Sequence, residues 1–214
     1  MFEYREELCR GLKAQGLNPS EQQLDQLCKF ADLLRKWNKV YNLTAIRRDK
    51  DILTHHLLDS ASLVPLVGQI HETAGRVLDV GSGGGLPSIP LAILRPDLEV
   101  TAVDAVSKKT AFLTQVGIEL GLTNFSARHA RVECLQGRFD LVTSRAFASL
   151  QDFVVLTRSL IDEKGFWLAM KGGIPHEEIQ ALPEDVAVTQ VLPMNVPNLE
   201  EERHLIVLAV RSQC

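Results

Sequence analysis

The chain has 214 residues, 45% hydrophobic and 23% charged, with a formal net charge of -4. This balance suits an ordinary soluble protein with one sizeable core and at most a small appendage. It gives no overall attraction to nucleic acid, so an RNA partner would have to meet a local basic patch. No stretch approaches the roughly 20 unbroken apolar residues of a membrane span. The opening "MFEYREELCR" is acidic where a signal peptide would be basic and then apolar, so a cytoplasmic location is expected. Cys9, Cys28, Cys134 and Cys214 show neither C-x-x-C nor a matching Cys/His spacing. No metal site or disulfide framework is therefore expected, and the cysteines are read as reduced thiols, mostly packing residues.

Residues 1–65 read as helical. In "SEQQLDQLCKFADLLRKWNKVYNL", Ser20 followed by Gln23 forms a capping-box start, and Leu24, Leu27, Phe30, Ala31, Leu34 and Trp37 recur at helical spacing. "DILTHHLLDSASLVPLV" reads as a further helix broken near Pro65. From Arg76 the pattern changes to apolar runs separated by helical segments: "RVLDV", "LEVTAVDA", "FSARHA", "FDLVTS" and "GFWLAMKG". Their spacing predicts an α/β fold with a mostly parallel sheet and crossover helices. "VAVTQVLPM" and "RHLIVLAVR" have no helical pattern between them and are expected to pair antiparallel. The expected organisation is a helical N-terminal extension, 1–65, packed on a ligand-binding domain, 66–214, the two forming one globular unit.

The chemistry centres on "RVLDVGSGGGLPSIPLA", Arg76 to Ala92. Glycines at a strand-to-helix turn let backbone approach a ligand, because they lack Cβ and tolerate positive φ. A dinucleotide fingerprint is not met: read from Gly81 the third glycine position falls on Leu86, and read from Gly83 it falls on Ser88. In open α/β sheets the ligand sits beyond the carboxyl ends of the strands, where strand order reverses. Asp104 ends the next strand about 20 residues past the glycines, where a carboxylate accepts hydrogen bonds from both ribose hydroxyls. A pyrophosphate would disfavour a carboxylate before the loop, whereas Asp79 suits an ammonium. S-adenosylmethionine carries a ribose, an ammonium and a sulfonium, and no phosphate.

The pattern Asp79 to Gly85, D-x-G-S-G-x-G, resembles motif I of the Rossmann-like class I methyltransferases. "YNLTAI", "HLLDS", "VLDVGSGGGLPSIPLAI", "VDAVSKKTAFL", "FDLVTSRAFASL" and "AMKG" together resemble the bacterial small-subunit ribosomal RNA methyltransferase G family, in its order, from Tyr41 to Gly172. The resemblance implies a seven-stranded sheet with an antiparallel C-terminal strand. It also implies transfer of a methyl group from S-adenosylmethionine to N7 of a guanine in the 530 loop of 16S ribosomal RNA, as naked RNA or in a small-subunit assembly; a monomer is expected, though the sequence itself does not give the oligomeric state. Two positions depart from the family: Ser88 where glycine is usual, and His55 where Arg or Lys often precedes the histidine of "HLLDS".

Guanine N7 has a free lone pair and no proton, so methylation there needs alignment rather than a general base. An N-P-P-Y-like motif for exocyclic amines is absent, and Cys134, the thiol that pyrimidine C5 chemistry would require, is expected away from the strand ends. Asp79 is the candidate for the methionine ammonium, directly or through water, and Asp104 for the ribose, with an alternative as cap of the following helix. Gly81, Ser82, Gly83 and Gly85 shape the cofactor loop. Carried over from the family are Leu86 at the loop's edge and Val132 and Glu133 beside the adenine. Arg145 is assigned to cofactor or phosphate, and Lys171 to RNA phosphate; both stand as candidate catalytic residues. The resemblance suggests Asn42, His56 and Asp59 as a substrate wall. Arg35, Lys36, Lys39, Arg47, Arg48, Lys50, Lys108 and Lys109 are the candidate basic patch, or a solvated face. Open alternatives are a small-molecule methyltransferase, a ribosome-associated protein that binds the cofactor without catalysis, and a nicotinamide dehydrogenase.

Overall fold

The computed structural model describes residues 2–73 and 75–211, so Cys214 lies outside the described residues. The chain opens with α1 (Arg5–Ala14) and α2 (Glu21–Tyr41). The expected capping box starts α2: the Ser20 hydroxyl accepts from the Gln23 N–H at 3.2 Å, and Gln23 Oε1 accepts from the Ser20 N–H at 2.9 Å. Gln23 also donates to the Ile93 carbonyl at 2.8 Å, which fastens the start of α2 to the core behind it. Ser20→Ala is expected to cost about 1 kcal/mol, read as a lower urea midpoint at unchanged slope.

The next helical run comprises α3 (Asp49–Ile52), a wider π-helical turn at Leu53–Leu58 and α4 (Asp59–Ala61). It breaks at Ser62 and Leu63, just ahead of Pro65, which then stands in the first turn of α5 (Val64–Ile70). A proline there loses nothing, because the N–H it lacks has no helical acceptor in any case.

Strands and helices then alternate: β1 (Arg76–Val80), α6 (Ser88–Leu94), β2 (Glu99–Asp104), α7 (Ser107–Leu120), β3 (Phe125–His129), β4 (Phe139–Arg145), α8 (Leu150–Thr157), β5 (Ile161–Lys171), α9 (His176–Gln180), β6 (Val186–Pro193) and β7 (His204–Val210). The sheet order is β3-β2-β1-β4-β5-β7-β6. The five runs read from the sequence pair in parallel. The tail strands pair antiparallel with each other, as expected, and β7 also runs antiparallel to β5, so it inserts between β5 and β6.

Each face of the sheet has its own apolar layer. Val77, Val100, Leu141 and Val207 join Leu24, Phe30, Leu34 and Phe112 on the side of α2 and α7. Leu78, Val142, Trp167 and Ile206 join Leu150 and Phe153 of α8 on the other. The alternation of Val77 and Leu78 between these layers is the two-residue period of a strand buried on both faces. Trp167 is fully enclosed, and its indole N–H donates to the Thr157 hydroxyl at 2.8 Å, so no polar atom of the ring is stranded.

Candidate active site

Strand order reverses between β1 and β4, and the glycine loop lies in that crevice. The Gly81 and Ser82 N–H groups both donate to the Val103 carbonyl, at 2.9 and 3.2 Å, and tie the loop to β2. Gly81 has φ +68, and a Cβ on it would lie 2.5 Å from Phe147. Gly85 has φ +81, and its Cβ would lie 2.7 Å from Ile89. Any side chain at either position would therefore force both the backbone and a packed neighbour to move. The Ser82 hydroxyl donates to the Asp79 carbonyl at 2.8 Å, so it builds the turn.

Two cavities flank the loop. One, of about 410 Å³, is lined by Val103, Asp104, Lys109, Val132, Glu133 and Phe147 among others. The other, of about 550 Å³, is lined by Thr44, His56, Gly83, Leu86, Arg145 and Lys171 among others. Both include Gly81 and Ala146, so the two spaces meet at the end of β1 and β4.

In the smaller cavity Asp104 is nearly buried, with one oxygen accepting from the Gly83 N–H at 3.0 Å and the other from the Val106 N–H at 2.8 Å. The cap residue of α7 is Val106, so Asp104 braces the helix entry without being the cap itself. Lys109 Nζ stands 3.7 Å from it. Val132 and Glu133 lie on a short 3₁₀ turn just beyond the carboxyl end of β3. Cys134 belongs to the same turn, so it is closer to the strand ends than its sequence context suggests, but it is exposed and lines neither cavity. It is therefore also no packing residue, unlike Cys28, which is buried.

Asp79 lies at the root of the loop, only 1% exposed, beneath the cavity lining. Neither of its carboxylate oxygens has a hydrogen-bond partner. Burial pushes its pKa up to about 6, against the opposing influence of the nearby Ser88, Ser82 and Arg145. Two stranded carboxylate oxygens at the base of a glycine cradle fit a cationic group or a bridging water.

In the larger cavity the guanidinium of Arg145 donates to the Asp59 carboxylate and to the His55 carbonyl, both at 2.8 Å. The other oxygen of Asp59 accepts from Arg203 at 2.9 Å. Asp59 is thus buried between two arginines. His56 donates from Nδ1 to the His55 carbonyl at 2.9 Å and accepts at Nε2 from the Thr44 hydroxyl at 2.8 Å. That tautomer is the consistent one, because the His55 carbonyl can only accept, so the proton is on Nδ1 and Nε2 carries the lone pair. Burial, then the Arg145 charge, lowers its pKa to about 4, so the ring is neutral at physiological pH. Lys171 is held by Glu178 at 2.8 Å and by the Ala148 carbonyl at 3.3 Å.

The structure thus brings His56, Asp59, Arg145 and Lys171 around one space. Asn42 lines neither cavity: it ends α2 in the left-handed conformation and accepts from Arg47 at 3.2 Å. Its neighbours Leu43, Thr44 and Ile46 form the wall instead. Of the candidate basic patch, Arg35 is paired with Asp32 and Asp49, Arg48 with Asp51, and Lys109 with Asp104. Arg203 carried no sequence signal. It reaches the site because β7 runs against its neighbours, pairing His204 with Lys171, so its start lies at the carboxyl ends of the other strands.

The chain matches known proteins over most of its length. Residues 23–206 match the family model of rRNA small subunit methyltransferase G. The chain is 50% identical over 211 residues to the ribosomal RNA small subunit methyltransferase G of Neisseria meningitidis serogroup B, covering 98% of this chain and 100% of that one. It is 51% identical to the protein of the same name from Acidovorax ebreus, covering 94% and 93%. Among solved structures it resembles magnesium protoporphyrin IX methyltransferase from Synechocystis PCC 6803, with a TM-score of 0.59, 18% identity and coverage of 86% and 97%. It also resembles the glycopeptide N-methyltransferase MtfA, with a TM-score of 0.60, 12% identity and coverage of 70% and 95%. These two similarities concern the fold.

Proposed function

Because the chain belongs to the rRNA small subunit methyltransferase G family, we propose that it uses S-adenosylmethionine to methylate N7 of a guanine in the 530 loop of 16S ribosomal RNA. The observation that carries the reading is the near end-to-end match to the Neisseria meningitidis relative. The site supports it. Asp104 edges a cavity fit for a ribose and base, which Val132 and Glu133 also line. Asp79 offers the stranded carboxylate that an amino-acid ammonium would satisfy, through water or after a small shift of the loop. When bound, the cofactor supplies an electrophilic methyl group on a sulfonium.

The larger cavity accounts for the remaining chemistry. Its buried titratable groups are not poised as general bases: both ring nitrogens of His56 are engaged, and Asp59 is paired with two arginines, while His55 at its rim is bonded through Nδ1 to Thr54 and keeps Nε2 3.8 Å from Glu201. A nucleophile that needs no deprotonation, such as guanine N7, is the substrate atom such a site can serve by positioning alone. Arg145, Arg203 and Lys171 give the wall positive charge for a phosphate or the guanine edge. The helical segment 1–65 supplies much of that wall, and the domain from 66 onward supplies the cofactor site. Among the described residues no helix is long and apolar enough to cross a membrane. A ribosomal substrate implies action in the cytoplasm.

The test is incubation with methyl-labelled S-adenosylmethionine and small ribosomal subunits from cells lacking the endogenous modification. Nucleoside digests are then analysed by mass spectrometry. Label in 7-methylguanosine from the 530-loop fragment is the expected result. Label only on free guanine nucleotides, or cofactor binding without transfer to any ribosomal RNA form, would overturn the assignment.

A further inference from the structure

Three of the large hydrophobic side chains exposed on this protein come together at one place: Val40 (69% exposed) and Tyr41 (40%) end α2, and Val106 (45%) precedes α7. The two helix ends are joined there by Lys108, whose ammonium lies 5.9 Å from the centre of the Tyr41 ring. Tyr41 does not hang free. Its ring lies 5.2 Å from that of Trp37, and Trp37 lies 5.5 Å from Phe112, which is fully buried. This ladder of rings anchors a surface aromatic to the core, so its position is fixed before anything binds.

The charges around it differ from those of the rest of the basic patch. Lys36 and Lys39 are exposed and, among the described residues, have no carboxylate within salt-bridge distance, whereas Arg35, Arg48 and Lys109 are all paired. A chain with a net charge of -4 thus presents exposed lysines on the last two turns of the helix that Tyr41 ends, further round the helix than the ring itself, and Lys108 over the ring. The chain passes directly from Tyr41 through Asn42 to Leu43 and Thr44, which line the larger cavity, so this surface adjoins the mouth of the site.

We propose that Tyr41, flanked by Val40 and Val106, with Lys108 over its ring and Lys36 and Lys39 on the adjoining faces of the same helix end, is a stacking platform for an unpaired nucleotide flanking the one that enters the cavity, the base displacing the Lys108 ammonium toward its phosphate. An aromatic face bordered by lysines is the arrangement that holds single-stranded RNA: each base has a face to stack, and each phosphate a charge to meet. The platform reads no sequence, because it offers a ring face and no fixed donor to a base edge. It keeps the strand in register while the cavity selects the target base. This reading rests on the RNA substrate proposed above.

The experiment is steady-state methyl transfer by the full chain to small subunits and to a protein-free 530-loop RNA. Wild type is compared with Tyr41→Ala, Tyr41→Phe and Lys36→Ala/Lys39→Ala, with S-adenosylmethionine affinity measured for each. Tyr41→Ala is expected to raise KM for both RNAs by roughly 5- to 100-fold, at unchanged kcat and cofactor affinity, and Tyr41→Phe to restore wild-type KM. The double lysine variant, whose exposed changes leave the fold intact, should make the salt dependence of RNA binding shallower by about 0.7 per lysine. An unchanged KM and salt slope with an active wild type would overturn the platform alone. A Tyr41→Ala defect on subunits but not on protein-free RNA would assign the surface to a ribosomal protein, and overturn it too. No transfer to RNA by the wild type would overturn the substrate assignment and the platform with it.

Discussion

Asp104→Ala is expected to weaken S-adenosylmethionine binding by roughly 100-fold or more, since each hydrogen bond to a charged group contributes about 1.5–3 kcal/mol and the carboxylate can accept from both ribose hydroxyls. Its oxygens already accept from the Gly83 and Val106 N–H groups. The substitution therefore also loosens the glycine loop and the entry to α7. Asp104→Asn separates the two roles: it keeps one acceptor and the shape, and should lose less affinity. Isothermal titration calorimetry, with a thermal melt as control for folding, decides the matter. Wild-type affinity in a folded Asp104→Ala protein would remove the ribose from this carboxylate.

The second large effect is at Asp79, and its sign depends on whether cofactor is present. Its folded pKa of about 6 lies above the ordinary aspartate value of 3.8. The folded state therefore holds a proton that the unfolded state has lost, and stability falls as pH rises from about 4 to about 6. The full difference, about 3 kcal/mol, is then missing from the free protein at pH 7 and above. Asp79→Asn, with no charge to bury, should flatten that window and leave the free protein more stable than wild type at pH 8. The same substitution should weaken cofactor binding, because the ammonium loses its counter-charge. Wild-type affinity itself should decline below about pH 6 as Asp79 takes up its proton. Urea unfolding at pH 4, 6 and 8, with and without S-adenosylmethionine, measures both halves. A pH-independent difference between Asp79→Asn and wild type would show that the carboxylate is not the titrating group.

The elements most legible in the sequence were those whose signal is local. The capping box at Ser20, the apolar face of α2 and the alternation of strands with helices from Arg76 onward each follow from a short-range pattern, and each is present. The glycine loop and Asp104 were legible because a strand-to-helix turn with a carboxylate on the next strand is contiguous in sequence. The larger cavity was only half legible. His56, Asp59, Arg145 and Lys171 line it, but the link between Asp59 and Arg203 spans 144 residues and depends on the reversal of β7. The sequence shows that two tail strands pair; it contains no local sign that one of them inserts beside β5. Nor could charge alone separate Lys36 and Lys39 from Arg35, since Arg35 meets Asp49 only where α3 packs beside α2.

The place of β7 in the sheet also bears on the order in which the protein becomes competent. It is made after every strand it touches, yet it lies in the interior, with Leu205 to Leu208 fully buried between β5 and β6. A nascent chain that has emerged only as far as β6 can close the glycine loop between β1 and β2, while β5 still presents an unpaired edge. It lacks Arg203, so Asp59 has only one of its two arginines, and the wall of the larger cavity is open. Such a chain has the elements proposed to hold the methyl donor, Asp79, the glycine loop and Asp104, before the wall proposed to meet the RNA is complete. If its substrate is ribosomal, translation must carry the tail clear of one ribosome before the protein can act on another.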